Sequence, residues 1–193
     1  MSNKIIIFNG PPRSGKDTGG ETISKSFPRA KRLKFSDPLK KATHAAFDLR
    51  HVDGRELDVD HFERVKDVPL TEFFGSTPRQ AYINYSELHM KVLYGKDVWG
   101  HIFMNTVERH QDTIFTVPEG GFIEEVETIL KRGIPAKDVL FIRVRRQGCS
   151  FEGDSRSYLN PESLGIEVLD LDNTELFSYQ NDVISTATSW LNS

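Results

Sequence analysis

The stretch GPPRSGKDT, residues 10–18, sets Gly10 and Gly15 five positions apart and follows the second directly with Lys16. That spacing suits phosphate chemistry. Glycine lets the main chain approach an anion, a following helix offers unpaired N–H groups and a positive dipole end, and the lysine reaches the β- and γ-phosphates of a nucleotide. Arg13, Ser14 and Thr18 complete the cradle. Where the pattern ordinarily continues with a Ser or Thr that holds magnesium, this chain has Asp17. A bare carboxylate beside a triphosphate is repelled, on the order of several kcal/mol at close range. Either the loop has lost triphosphate binding, or a divalent cation sits between the charges, for which a carboxylate oxygen is a good ligand. Asp17 also reads as a first-turn acid favoured by the helix dipole.

An anionic acceptor such as a nucleoside monophosphate needs no general base, because its oxygen is already a nucleophile. It needs positive charge that holds two anions together, and a cover against water. Arg79 stands second in a helix opened by Thr77 and Pro78, where N–H groups and guanidinium can converge on one phosphate. Arg143 and Arg145 continue a buried strand on one face, while Arg146 points the other way. Arg156 lies in the polar segment GCSFEGDSRSY, placed to fold over the site as a lid. Each of these also reads as a solvated surface arginine, less easily for Arg143 and Arg145. A second acid is expected after the third strand, where it helps place Mg2+. Glu119 occupies that place, and reads equally as a helix-start acid after a proline turn.

The elements that must position these residues alternate between strand and helix. KIIIFN (4–9), KRLKF (31–35), TIFTV (113–117), VLFIRV (139–144) and IEVLDL (166–171) read as strands. Helices are expected at about 16–26, from Ser36 or Asp37 with Pro38 first, at 78–95, from Asp97 through Val107, at about 122–132, and near the C-terminus to Leu191. Thr77 and Gln80 form a capping box, and Ala81, Tyr85, Leu88 and Val92 are expected on one face of the helix it starts. Near-continuous apolar strands imply a parallel sheet covered on both faces. The fold expected is a single α/β domain, a P-loop NTPase-type three-layer sandwich with a five-stranded parallel sheet. Its core would span about 1–48 and 111–193, with an acceptor-binding excursion at about 49–110 and a lid at about 146–163.

Composition narrows the classes. The chain has 193 residues, a formal net charge of −3 and one cysteine. The balance leaves no electrostatic footprint for nucleic acid or an anionic membrane, and the lone Cys149 fits a reducing cytoplasm. A strand beginning at Lys4 leaves no room for a signal peptide, and no apolar run is long enough to span a bilayer. The apolar content of the helices from 78 to 107 admits a homodimer face.

Taken in succession, GPPRSGKDT, KFSDPLKKA, TPRQAYINYSE with GKDVWG, PEGGFIEEVETI, and RVRRQG leading to GDSRSYL resemble the bacteriophage deoxynucleoside monophosphate kinases, a branch of the P-loop nucleoside monophosphate kinases. The likeness runs over nearly the whole chain. It implies ATP-dependent, magnesium-supported phosphorylation of deoxynucleoside monophosphates, in a host cytoplasm if the chain is phage-encoded. By that likeness Lys16, Asp17 and Thr18 hold donor phosphates and metal. Arg79 grips the acceptor phosphate, Arg143 or Arg145 stabilises the moving phosphoryl group, and Asp37, Glu87 and Trp99 border the acceptor. Core packing explains Glu87 and Trp99 as readily, and an N-cap role explains Asp37. The family usually carries an aspartate before the glycine pair where this chain has Glu119 after a proline. One added methylene moves a ligand by roughly an ångström or more. A kinase of another small phosphorylated acceptor and a non-catalytic nucleotide-binding protein are the alternatives.

Overall fold

The computed structural model describes residues 2–154 and 156–193; Met1, and Ser155 within the expected lid, lie outside the described residues. Five strands, β1 (Lys4–Asn9), β2 (Ala30–Arg32), β3 (Ile114–Val117), β4 (Val139–Arg145) and β5 (Glu167–Asp172), form one parallel sheet in the order β2-β3-β1-β4-β5. The helices are α1 (Lys16–Ser26), α2 (Ser36–Ala46), α3 (Pro78–Asn84), α4 (Lys91–Tyr94), α5 (Val98–Val107), α6 (Ile123–Lys131) and α7 (Leu176–Leu191). The architecture is a three-layer α/β/α sandwich, as the strand–helix alternation predicts.

β1 is central, and its residues from Ile5 to Asn9 are buried. Ile5 and Ile7 face a core built with Phe103 and Met104 of α5 and Val126 and Ile129 of α6. Ile6 and Phe8 face the other layer, Ile23 of α1 and Tyr179, Val183 and Trp190 of α7. Alternation along the strand sends successive side chains to opposite layers. Each such burial stabilises by roughly 1.5–3 kcal/mol, so β1 anchors the loop that follows it. The glycines of α1 have a packing reason: a Cβ on Gly19 would lie 2.6 Å from both the Phe8 ring and the Tyr179 hydroxyl. Glycine there lets α1 press onto the sheet.

β2 is shorter than expected and ends at Arg32. Leu33 still donates its N–H to Thr116, but Phe35 already has helical backbone angles and packs its ring on Phe103 at 4.4 Å. Tertiary packing therefore converts the end of KRLKF into the entrance of α2. That helix begins at Ser36, so neither Ser36 nor Asp37 caps it as the sequence predicts, and Pro38 is its third residue.

The expected 78–95 helix is interrupted. Thr77 caps α3 by accepting the Gln80 N–H at 3.1 Å, while the Gln80 side chain turns to Asn84 instead of closing the capping box. Residues Tyr85–Met90 then form a π-helical segment before α4. Its wider turns break the 3.6-residue register. Ala81 stays buried, whereas Leu88 and Val92, predicted on the same face, lie exposed. Between α2 and α3, Phe62, Phe73 and Ala81 make a small separate cluster with Phe47, Leu49, Leu57 and Leu70 around it.

Candidate functional site

The loop between β1 and α1 sits at the carboxyl ends of the strands. Strands β3 and β2 lie on one side of β1 and β4 and β5 on the other, and such a switch in strand order is where open α/β sheets take ligands. Arg13 and Gly15 both adopt positive φ, which folds the loop tightly. A Cβ at Gly10 would come within 2.6 Å of the Val144 carbonyl, and one at Gly15 would collide with the Asn173 amide. No side chain caps α1, so its first-turn N–H groups face the loop's concavity without a side-chain acceptor. The Ser14 Oγ is buried there with no hydrogen-bond partner.

Two residues that no sequence motif marks hold this loop. Asn173, just past β5, donates to the Ser14 carbonyl at 2.7 Å, and the buried Tyr179 of α7 donates its hydroxyl to the Gly15 carbonyl at 3.1 Å. Arg146 reaches across to the Arg13 carbonyl at 3.2 Å. These bonds join positions more than 130 apart in sequence, a distance no local pattern spans.

Lys16 is buried with its ammonium on the Pro11 carbonyl at 2.7 Å. Burial first, and then repulsion from Arg156, bring its pKa down to about 8 despite attraction from Asp17 and Asp154. Arg156 is thus in electrostatic range of the loop, from the segment expected to be a lid. Asp154 accepts from the Arg156 guanidinium at 2.8 and 2.6 Å, and that bond holds the Asp154 carboxyl down at about 2. The Arg79 charge is stabilised above all by its hydrogen bond to Asp67, at 2.5 Å, and it too feels Arg156 as an opposing like charge. Arg156 therefore lies within electrostatic range of both Lys16 and Arg79.

Asp17 is exposed and ion-paired with Arg32 at the end of β2. Arg143 is bidentate on Asp170 of β5, at 3.0 and 2.8 Å, and Arg145 joins the same carboxylate at 3.0 Å. Arg145 also lies 4.9 Å from the Tyr158 ring. The same-face placement expected of this pair holds, and a β5 acid, unmarked in sequence, gathers both. Trp99 is buried with its indole N–H on Ser86 at 2.9 Å, and Glu87 pairs with Lys91 at 2.7 Å. Among the described residues neither is bonded to the loop.

Glu119 has an unanticipated role. Its carboxylate accepts the Ser36 backbone N–H at 2.5 Å and the Ser36 hydroxyl at 2.8 Å, so it caps α2 from another strand's end. Burial raises its pKa, as it does for Asp37, whose Oδ1 is buried without a partner while Oδ2 accepts the Lys34 N–H. Glu125, at the start of α6, is buried too and is pushed well above the usual carboxylate range, first by burial and then by Glu119.

Among the described residues no three His, Cys, Asp or Glu side chains group as a metal cage. Magnesium keeps most of its waters and substrate ligands, so one arriving on phosphate oxygens needs few protein donors, and the exposed carboxylate of Asp17, next to Lys16, is suited to be one. The uncapped helix end, Lys16 and the unpartnered Ser14 Oγ fit the phosphates themselves.

The fold is an α/β sandwich with a five-stranded parallel sheet, and the glycine loop lies at the carboxyl end of its central strand. No family model and no curated protein matches the chain. Among solved structures it is similar to a sugar kinase from a Janibacter species, solved unliganded, with 12% identity, a TM-score of 0.47 and coverage of 100% of this chain and 95% of that one. It is also similar to thymidylate kinase from Candida albicans, with 11% identity, a TM-score of 0.48 and coverage of 97% and 92%. Among the described residues no helix is long and apolar enough to cross a membrane.

Proposed function

We propose that this chain is an ATP-dependent kinase that phosphorylates deoxynucleoside monophosphates to diphosphates. One observation carries the reading: Arg156 is felt as a like charge by both Lys16 on the loop and Arg79 on the helix opposite. In the free protein Asp154 and Asp67 balance Arg156 and Arg79, and phosphate oxygens suit the same guanidinium forks. A donor triphosphate on the loop and an acceptor monophosphate at Arg79 supply such oxygens, with Arg156 over their junction.

In this reading the loop N–H groups and Lys16 hold the β- and γ-phosphates. Arg79 exchanges Asp67 for the acceptor phosphate, and Arg156 exchanges Asp154 for the oxygens of the group in transit. An acceptor phosphate oxygen forms the new bond to the γ-phosphorus as the bond to the β–γ bridging oxygen breaks, and ADP leaves with those electrons. No proton is transferred, so no general base is required. Catalysis is positioning and charge stabilisation. Magnesium, when bound, neutralises charge on the β- and γ-oxygens, with Asp17 and Thr18 as the residues to hold it.

The test is coupled ADP release with each of the four deoxynucleoside monophosphates and with other small phosphorylated acceptors. Acceptor-dependent turnover with at least one deoxynucleotide is expected. Turnover with another acceptor class alone replaces the substrate, and ATP binding without any acceptor-dependent turnover removes the catalytic reading.

A further inference from the structure

The Asp17–Arg32 pair answers how the loop tolerates an acid. Asp17 lies in the first turn of α1, next to Lys16, where a polyphosphate would meet the uncapped N–H groups. Its carboxylate is mostly in solvent, 72% exposed, and the partner it finds is the Arg32 guanidinium. Arg32 comes from a rigid base: it is the last residue of β2, in register with Thr116 of β3, and the next N–H also bonds to Thr116. Glu21, one turn further along α1, lies within reach of the same positive charge. A fixed guanidinium thus stands beside the one acid of the loop without needing a metal.

We infer that Arg32 is a positioning residue for nucleotide binding, cancelling the Asp17 charge so that the loop accepts a polyphosphate before or without its metal. The inference rests on the phosphate-binding reading of the loop. Exposed ion pairs add little to stability, so the effect belongs in affinity and leaves the fold intact.

The experiment is calorimetric titration of ADP into the wild type, Arg32→Gln, Asp17→Asn and the double variant, in excess EDTA and again with magnesium. In EDTA, Arg32→Gln should weaken ADP binding about tenfold, because an uncompensated carboxylate then faces the phosphates. In the Asp17→Asn background the same change should cost less than about twofold, since there is no acid left to cancel. Arg32→Lys should restore most of the affinity, and melting temperatures should agree within about two degrees. An equal loss in both backgrounds overturns the inference, because Arg32 would then grip the nucleotide directly. No loss in either background overturns it as well, making the pair an idle surface contact. A wild type that binds Mg·ADP but no metal-free ADP assigns the neutralisation to the metal. A wild type silent toward Mg·ADP removes the phosphate reading itself.

Discussion

Arg156 lies so close over Gly121 that a Cβ added there would stand 2.6 Å from its Cδ. The second glycine of the PEGG turn is thus the floor on which the arginine rests. Gly121 does not have positive φ, so an alanine meets no backbone strain, and only the arginine must move. Gly121→Ala should lower kcat/KM by about tenfold, the order expected when a charged group is displaced by an ångström or so. Thermal unfolding should change little. Unaltered kinetics would separate Arg156 from the reaction.

The lowered Lys16 pKa sets a pH dependence. The ammonium is charged below about 8 in the free protein, and bound phosphate favours the charged form. Nucleotide affinity is therefore full below that pH and falls as pH rises through about 8, with proton uptake on binding above it. Titrations between pH 6.5 and 9.5, roughly spanning that value, in two buffers of different ionisation enthalpy, would reveal the uptake. A flat affinity would show that Lys16 carries no such burden. Lys16→Ala should abolish transfer while leaving the fold in place.

Arg79 and Asp67 pose a test of the acceptor side. Their bidentate pair is exposed, so breaking it scarcely alters stability. Arg79→Ala removes a charge-assisted phosphate contact and should raise the acceptor KM roughly 10–100-fold with the KM for ATP unchanged. Equal effects on both substrates would move Arg79 out of the acceptor site.

The loop's struts can be weighed against each other. Asn173→Ala leaves the Ser14 carbonyl buried and unpaired and should cost about 1–3 kcal/mol. Tyr179→Phe removes a longer bond to Gly15 and should cost about 0.5–1.5 kcal/mol. Urea unfolding measures both, and each variant should bind ATP more weakly because the loop loses its fixed shape. Full ATP affinity in the less stable Asn173→Ala protein would show that the loop holds its form without the strut.

Much was legible along the chain because its causes are local. Stretches of five or six residues marked all five strands, β2 with other bounds than Ala30–Arg32, and glycine spacing followed by Lys16 marked the loop. Tertiary structure decided what depends on partners distant in sequence. Asp170 of β5 gathers Arg143 and Arg145, Asp67 holds Arg79, and Asn173 and Tyr179 brace the loop. Glu119, readable as a metal acid or a helix-start acid, caps α2, a helix more than 70 residues earlier. The same holds for β2, whose end is bent into α2 by Phe35 packing on Phe103, and for the π segment that turns Leu88 and Val92 outward. Hydrophobic period and turn chemistry are written in neighbouring residues, whereas charge pairing and capping across elements arise only once the sheet brings remote segments within a few ångströms.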